Sequence, residues 1–155
     1  MKIKEMVKRD DELAIVFEFC ERNFFNEMKD RKSNNKDFTE DEIKQIVYQI
    51  LSGLNYIHKN GYCHRDIKPE NLLIKESSKT DIKESTMVIA DFGLCKDLRS
   101  SSQHTDDVST RWYRAPELCL SSTSYNQTID LWALACIMVE ITTGKPLFPG
   151  INDID

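Results

Sequence analysis

Glycine is scarce in this chain: five in 155 residues, at Gly53, Gly61, Gly93, Gly144 and Gly150. No two stand close enough to form G-x-G-x-x-G, so these residues hold no glycine-rich loop of the kind that wraps nucleotide phosphates. Cysteine is sparse and odd in number. Cys20, Cys63, Cys95, Cys119 and Cys136 include no C-x-x-C pair, which indicates neither a zinc site nor a disulfide framework and suits free thiols in a reducing compartment. Long apolar runs are missing too. The most apolar stretch, 131–141, is interrupted by Glu140 and is too short to cross a bilayer. The opening MKIKEMVKRDDELA is charged and has no apolar core, so it does not read as a signal peptide. Nor is there an excess of positive charge: 26 acidic against 21 basic residues leave a net charge of −5, which argues against a general nucleic-acid binder. The expectation is a soluble intracellular protein, cytoplasmic or nuclear, with neither a nucleic-acid nor a membrane partner.

What is present describes one globular domain. A chain of 155 residues can bury roughly 70% of the surface its unfolded form exposes, and 40% hydrophobic with 30% charged residues is ordinary globular composition. LAIVFEF at 13–19 reads as a buried strand, and IKEMV ahead of it can pair with it across the turn-like KRDDE. The clearest helix starts at TEDEIKQ. Ile43, Ile46, Val47, Ile50, Leu51, Leu54 and Ile57 line one face, Thr39 with Glu42 makes a capping box, and Asn60-Gly61 supplies the stop. NLLI and MVIAD read as strands flanking a polar segment, 75–85. A second helix over about 129–143 is apolar nearly all round, hence expected to be buried, and ends at Gly144 and Pro146. The long aperiodic stretch between Phe92 and about Thr123 has the length of a functional loop.

Three short motifs stand in a fixed order: HRDIKPEN at 64–71, DFG at 91–93 and APE at 115–117. Each is weak alone; together, with a strand pair between the first two, they form the protein-kinase signature. The residue types suit phosphoryl transfer, which needs an aimed nucleophile and neutralised negative charge. Asp66 is the candidate to accept a hydroxyl proton, and Lys68 to place a positive charge near the phosphoryl group. Asn71 and Asp91 offer hard oxygen donors to Mg²⁺. Each has a plainer reading: Asp66 as a loop cap, Asn71 as a strand-edge polar residue, Asp91 as a turn residue before Gly93, Lys68 as a solvated lysine.

The chain resembles eukaryotic protein kinases over almost its whole length. Lys68 in HRDIKPEN is similar to the serine/threonine type, and VSTRWYRAPELCL at 108–120 to the CMGC group. VFEFCERN, MKDR and LFPG are most similar to the male-germ-cell-associated and intestinal-cell kinases, the RCK family. That resemblance implies an α+β kinase-like fold, mainly its helical C-lobe (20–155) with the last two N-lobe strands and the hinge (1–19). It implies Mg-ATP, a protein substrate with Ser or Thr, proline-directed choice of that substrate, and an upstream activating kinase. It assigns Phe17 as gatekeeper, Glu18 to Cys20 as the hinge that holds adenine, and Leu73 as the pocket floor. His64 and Phe92 match the regulatory spine, and Asp130 the buried helix carboxylate that braces the catalytic loop. Thr110 matches a residue that bonds near the catalytic Asp.

Two departures stand out. Relatives carry Thr-Asp-Tyr in the activation loop, where this chain has Thr105-Asp106-Asp107. Thr105 is a candidate phosphorylation site. Asp107 either partly replaces a phosphotyrosine or is a solvated loop residue; Arg65, Arg111 and Arg114 are the candidate readers of such charge. The second departure is at the termini: the resemblance implies a V-A-I-K lysine and a partner helix ahead of the hinge and further C-lobe helices after Asp155. None is present, so most of the N-lobe and the final C-lobe helices are expected to be absent and both ends read as cut. Little activity is expected of these 155 residues alone. A non-catalytic, pseudokinase-like binding module is therefore the rival reading, against which Asp66, Asn71 and Asp91 all speak. A cysteine hydrolase using Cys63 and His64 is discarded, because adjacent residues rarely aim at each other productively.

Overall fold

The computed structural model describes residues 1–10, 12–75, 82–98, 111–120 and 124–150. Strands β1 (Ile3–Arg9) and β2 (Glu12–Phe17) form an antiparallel hairpin with Lys8 opposite Leu13 and Arg9 opposite Glu12. The turn passes through Asp10 at φ 49°, a left-handed backbone that Asp tolerates better than most residues. The expected pairing is present, but the burial is not. Met6 is 61% and Leu13 58% exposed, and Ile15, Val16 and Phe17 are also open to solvent. A composition that reads as buried here sits on a two-stranded ribbon whose faces no described layer covers.

Three more strands make an antiparallel sheet in the order β3 (Arg22–Asn23), β5 (Leu72–Lys75), β6 (Thr86–Ile89). The β4 (Tyr62–Cys63) and β7 (Lys96–Asp97) segments pair separately. On β5 the two-residue period places Leu72 and Ile74 in the core and leaves Leu73 half-buried on the other face. NLLI and MVIAD are thus neighbours, as expected of strands joined by a polar connection.

The helices supply the rest of the core. In α1 (Phe24–Ser33), Asn23 caps the N-terminus by accepting the Asn26 N–H at 3.0 Å. Helix α2 (Glu40–Lys59) shows the full capping box. Thr39 Oγ1 accepts the Glu42 N–H, and Glu42 Oε2 accepts the Thr39 N–H at 2.7 Å. Its Ile46, Ile50 and Leu54 are fully buried against Leu72, Ile74, Ile89 and Ile137. Leu51, placed on the same face from its spacing, is instead exposed. Burial of each such aliphatic side chain is worth about 1.5–3 kcal/mol. Helix α1 is clamped to α2 by Arg31. Its guanidinium donates to Glu27 at 2.6 Å and to both oxygens of Glu42 at 3.0 and 2.8 Å, with the Phe38 ring 4.1 Å away. Arg31 holds the Glu42 carboxyl at a pKa of about 2, below its usual 4.5.

A single turn, α3 (Pro116–Cys119), precedes α4 (Thr128–Thr143). Helix α4 ends at Gly144 with φ 70°, where glycine avoids the penalty a Cβ brings. Only one side of α4 is buried, through Ile129, Ala133, Leu134, Ile137 and Ile141; Leu131, Trp132 and Met138 remain partly exposed. No described helix is long and apolar enough to cross a membrane. All five cysteines are free thiols.

Candidate active site

The centre of the site is a buried carboxylate on the first turn of α4. Asp130 is 1% exposed, and such a charge is tolerated only where donors surround it. Four do. The Oδ2 atom accepts the His64 backbone N–H at 2.9 Å, His58 Nε2–H at 2.8 Å and the Cys63 thiol at 3.4 Å, while Oδ1 accepts the Arg65 N–H at 2.9 Å. Two consecutive backbone N–H groups therefore aim at one side chain. Arg65 adopts φ 71°, a left-handed conformation that costs a non-glycine residue of order 1–3 kcal/mol and persists only where its surroundings enforce it. The brace expected of Asp130 is thus present as a set of distances.

His64 completes the frame. Its Nε2–H donates to Ala90 O at 3.0 Å and its Nδ1 accepts the Asp66 N–H at 3.3 Å. Those two bonds fix a neutral ring with the proton on Nε2. Burial agrees, pushing the imidazole pKa below its usual value. Phe92 packs edgewise on the ring, with centroids 5.1 Å apart. Burial, with Asp130 beside it, raises the Cys63 thiol well above the ordinary range. Cys63 is thus a protonated hydrogen-bond donor, the opposite of a nucleophilic thiolate.

Held by this frame, the loop gathers three of the expected residues. Asp66 is buried, and its Oδ2 accepts from Lys68 Nζ at 2.8 Å and from Asn71 Nδ2 at 2.8 Å. Asn71 Nδ2 also donates to Asp66 O at 2.9 Å. Both amide hydrogens of Asn71 are committed in this way, which turns its Oδ1, a hard neutral oxygen, to the other side. A short 3-10 turn, Pro69–Asn71, sets the five-residue spacing, and Asn71 O accepts the Ala90 N–H at 2.9 Å. That bond ties the loop to the end of β6, one residue before Asp91. Asp91 has φ 62°, is exposed, and accepts the Gly93 N–H on Oδ1 at 3.2 Å. A Cβ at Gly93 would lie 3.1 Å from that oxygen, so glycine lets the carboxylate and the next turn approach.

Asn71 and Asp91 fit Mg²⁺ by donor chemistry. The described residues contain no cluster of three or more His, Cys, Asp or Glu able to hold a metal. Mg²⁺ bound with nucleotide phosphates needs none, since it takes one or two protein oxygens and completes its shell with phosphate and water.

The remaining expected residues are more scattered. Phe17 ends β2 and is half-exposed; Glu18 to Cys20 follow outside regular structure. The Glu18 carboxylate is joined to Lys75 at the end of β5 at 2.8 Å, and its pKa is lowered by that hydrogen bond. This bridge brings the 18–20 connection to the strand that carries Leu73. Arg65 and Arg114 line one cavity of about 20 Å³ beside Asp66 and Asp130, room for a single water. Arg111 is exposed on the turn Arg111–Tyr113. Thr105, Asp107 and Thr110 lie outside the described residues.

Two partners were not read from the sequence. His58, in the last turn of α2, reaches Asp130 across 72 positions. Tyr113 donates its hydroxyl to Glu140 Oε2 at 2.7 Å, and burial raises the pKa of both groups. The only advance signal for either was a carboxylate placed in an apolar helix.

Comparison with known proteins identifies the family. The protein kinase domain profile covers residues 1–155. The chain is 48% identical over 155 residues to the serine/threonine-protein kinase ICK of Mus musculus and 49% to the serine/threonine-protein kinase MAK of Mus musculus, in each case over 100% of this chain and 23% of the relative. It is 45% identical to the cyclin-dependent kinase F-3 of Oryza sativa subsp. japonica, over 33% of that protein. The chain thus spans about a quarter to a third of the length of these curated relatives. A braced HRD loop, an adjoining DFG turn and a profile match from the first residue to the last place the chain in the protein kinase domain family, in the company of the ICK and MAK serine/threonine kinases.

Proposed function

We propose that the protein transfers the γ-phosphoryl group of ATP to Ser or Thr hydroxyls of other proteins, next to proline, within the cytoplasm or nucleus. The observation that carries this reading is the Asp66–Lys68–Asn71 cluster held beside Asp91. Asp66 is the base: its carboxylate is fixed by two donors on Oδ2, so it can orient a substrate hydroxyl and take up its proton. Lys68 neutralises charge next to that base. Asn71 Oδ1 and the Asp91 carboxylate are the protein ligands for Mg²⁺, which would neutralise phosphate charge when bound. Residues 18–20, with Phe17 and Leu73, are assigned to the adenine, and residues 1–19 to the first lobe and hinge. Thr105 is assigned as the site of an activating kinase, with Arg65, Arg111 and Arg114 as readers of its phosphate and Asp107 as a partial substitute for a second one. Thr110 is assigned to the neighbourhood of Asp66.

A non-catalytic binding module is favoured by one fact: these 155 residues contain neither G-x-G-x-x-G nor a V-A-I-K motif. A module has no use for an oriented base with two metal-ligand oxygens, so the enzyme is the better account. Titration of the full-length gene product with Mg-ATP, followed by transfer to a Ser-Pro peptide, separates the two. Saturable binding and turnover are expected. Neither would be seen if the module reading were correct.

A further inference from the structure

A groove of about 360 Å³ opens between α1, the 34–39 connection and the end of α4. That volume is within the range of about 300–1,000 Å³ typical of sites that take a ligand. Its floor is apolar, formed by Met28, Phe38, Trp112 and Ile141. Its rim is basic. Lys29, Lys32 and Lys36 all line it and all are exposed. Lys32 donates to Gly144 O at 3.2 Å, while Lys29 and Lys36 form no ion pair among the described residues.

The other charges of the groove do not cancel this rim. Arg31 is turned inward and spent on Glu27 and Glu42. Glu140 is engaged by the Tyr113 hydroxyl, and Asp37 is the one further acid in the lining. Three exposed lysines over an apolar floor are a local reversal on a chain whose net charge is −5. Such a surface selects its partner by sign as well as by shape.

We infer that this groove docks an acidic segment of another protein that carries an apolar anchor, its side chain entering between Met28, Phe38 and Trp112 while its carboxylates meet Lys29, Lys32 and Lys36. Helix α1 offers the lysines from one face because Lys29 and Lys32 are three residues apart, and Lys36 follows where the helix has ended. The Trp112 indole is fixed by its N–H bond to Gly150 O at 3.0 Å, so one wall is pre-set before a partner arrives. The surface is separate from the Asp66 cluster, and its occupation does not depend on phosphoryl transfer.

The test uses the full-length protein and a fluorescein-labelled peptide, Glu-Asp-Phe-Glu-Asp-Leu-Glu. Saturable binding that weakens with added salt is expected. Replacing Phe and Leu of the peptide by Ala, or its acids by Gln and Asn, should each weaken binding about tenfold or more. The double variant Lys29→Glu/Lys36→Glu should do the same with unchanged melting temperature. Phe25→Asp at the groove's edge should also weaken binding, independently of those lysines. Equal binding of the Ala peptide would reduce the site to a diffuse lysine attraction and overturn the inference. So would an absence of binding, indifference to both variants, or a preference for anionic phosphatidylserine vesicles over the peptide.

Discussion

At the scale of single residues, the site depends on Asp130 more than on any group that would touch a substrate. Its carboxylate satisfies two backbone N–H groups, a histidine and a thiol at once. Asp130→Ala leaves those donors buried without an acceptor, so a loss of about 3–5 kcal/mol is expected, read as a lower urea midpoint, together with loss of activity. A midpoint within experimental error of the parent would contradict the bracing role. Asp66, Lys68 and Asn71 stood out as candidates because they share one short motif, and Asp91 because it opens the DFG triplet. The histidine that joins the Asp130 brace did not. His58 and Asp130 meet through the fold, and no spacing rule reports a contact across 72 residues.

At the scale of elements, capping chemistry was readable and packing was not. The Thr39–Glu42 box and the Gly144 stop are local, and both were expected from adjacent residues. The same Glu42 is also an anchor for Arg31 of α1, which a local reading could not reveal. Since Arg31 lowers the Glu42 pKa from 4.5 to about 2, the linkage has a definite sign. The clamp stabilises fully above the unfolded value, and its contribution is lost as pH falls through 4.5 toward about 2. Glu42→Gln should therefore flatten the stability profile in that window; urea melts from neutral to acidic pH check it. A Cβ at Gly144 meets nothing within 4 Å, so Gly144→Ala tests backbone strain alone, with an expected cost of about 1 kcal/mol. The pairs β3, β4 and β7 span two residues each, too few for any periodic signal, and they escaped notice for that reason.

At the scale of the whole molecule, the hairpin of β1 and β2 is the anomaly. Its apolar residues are those of an interior strand, but the ribbon is exposed along both strands. Exposed apolar edges of this kind template pairing with other chains. The 155-residue chain in isolation is accordingly expected to associate as its concentration rises, and Ile15→Lys should reduce that tendency in sedimentation velocity. Concentration-independent monomers of the parent chain would show the hairpin to be covered. The fold class was legible because motif order and helix periodicity agree, whereas the exposure of β2 was hidden by a composition that reads as buried. The central claim, that the Asp66 cluster is a phosphoryl-transfer centre, is tested most directly by one paired measurement on the full-length protein: Mg-ATP affinity and peptide turnover for the parent and for Asp66→Asn. Asparagine keeps the shape and removes the base, so nucleotide affinity should hold while turnover falls about 10²–10⁴-fold. Turnover equal to the parent's would contradict the account.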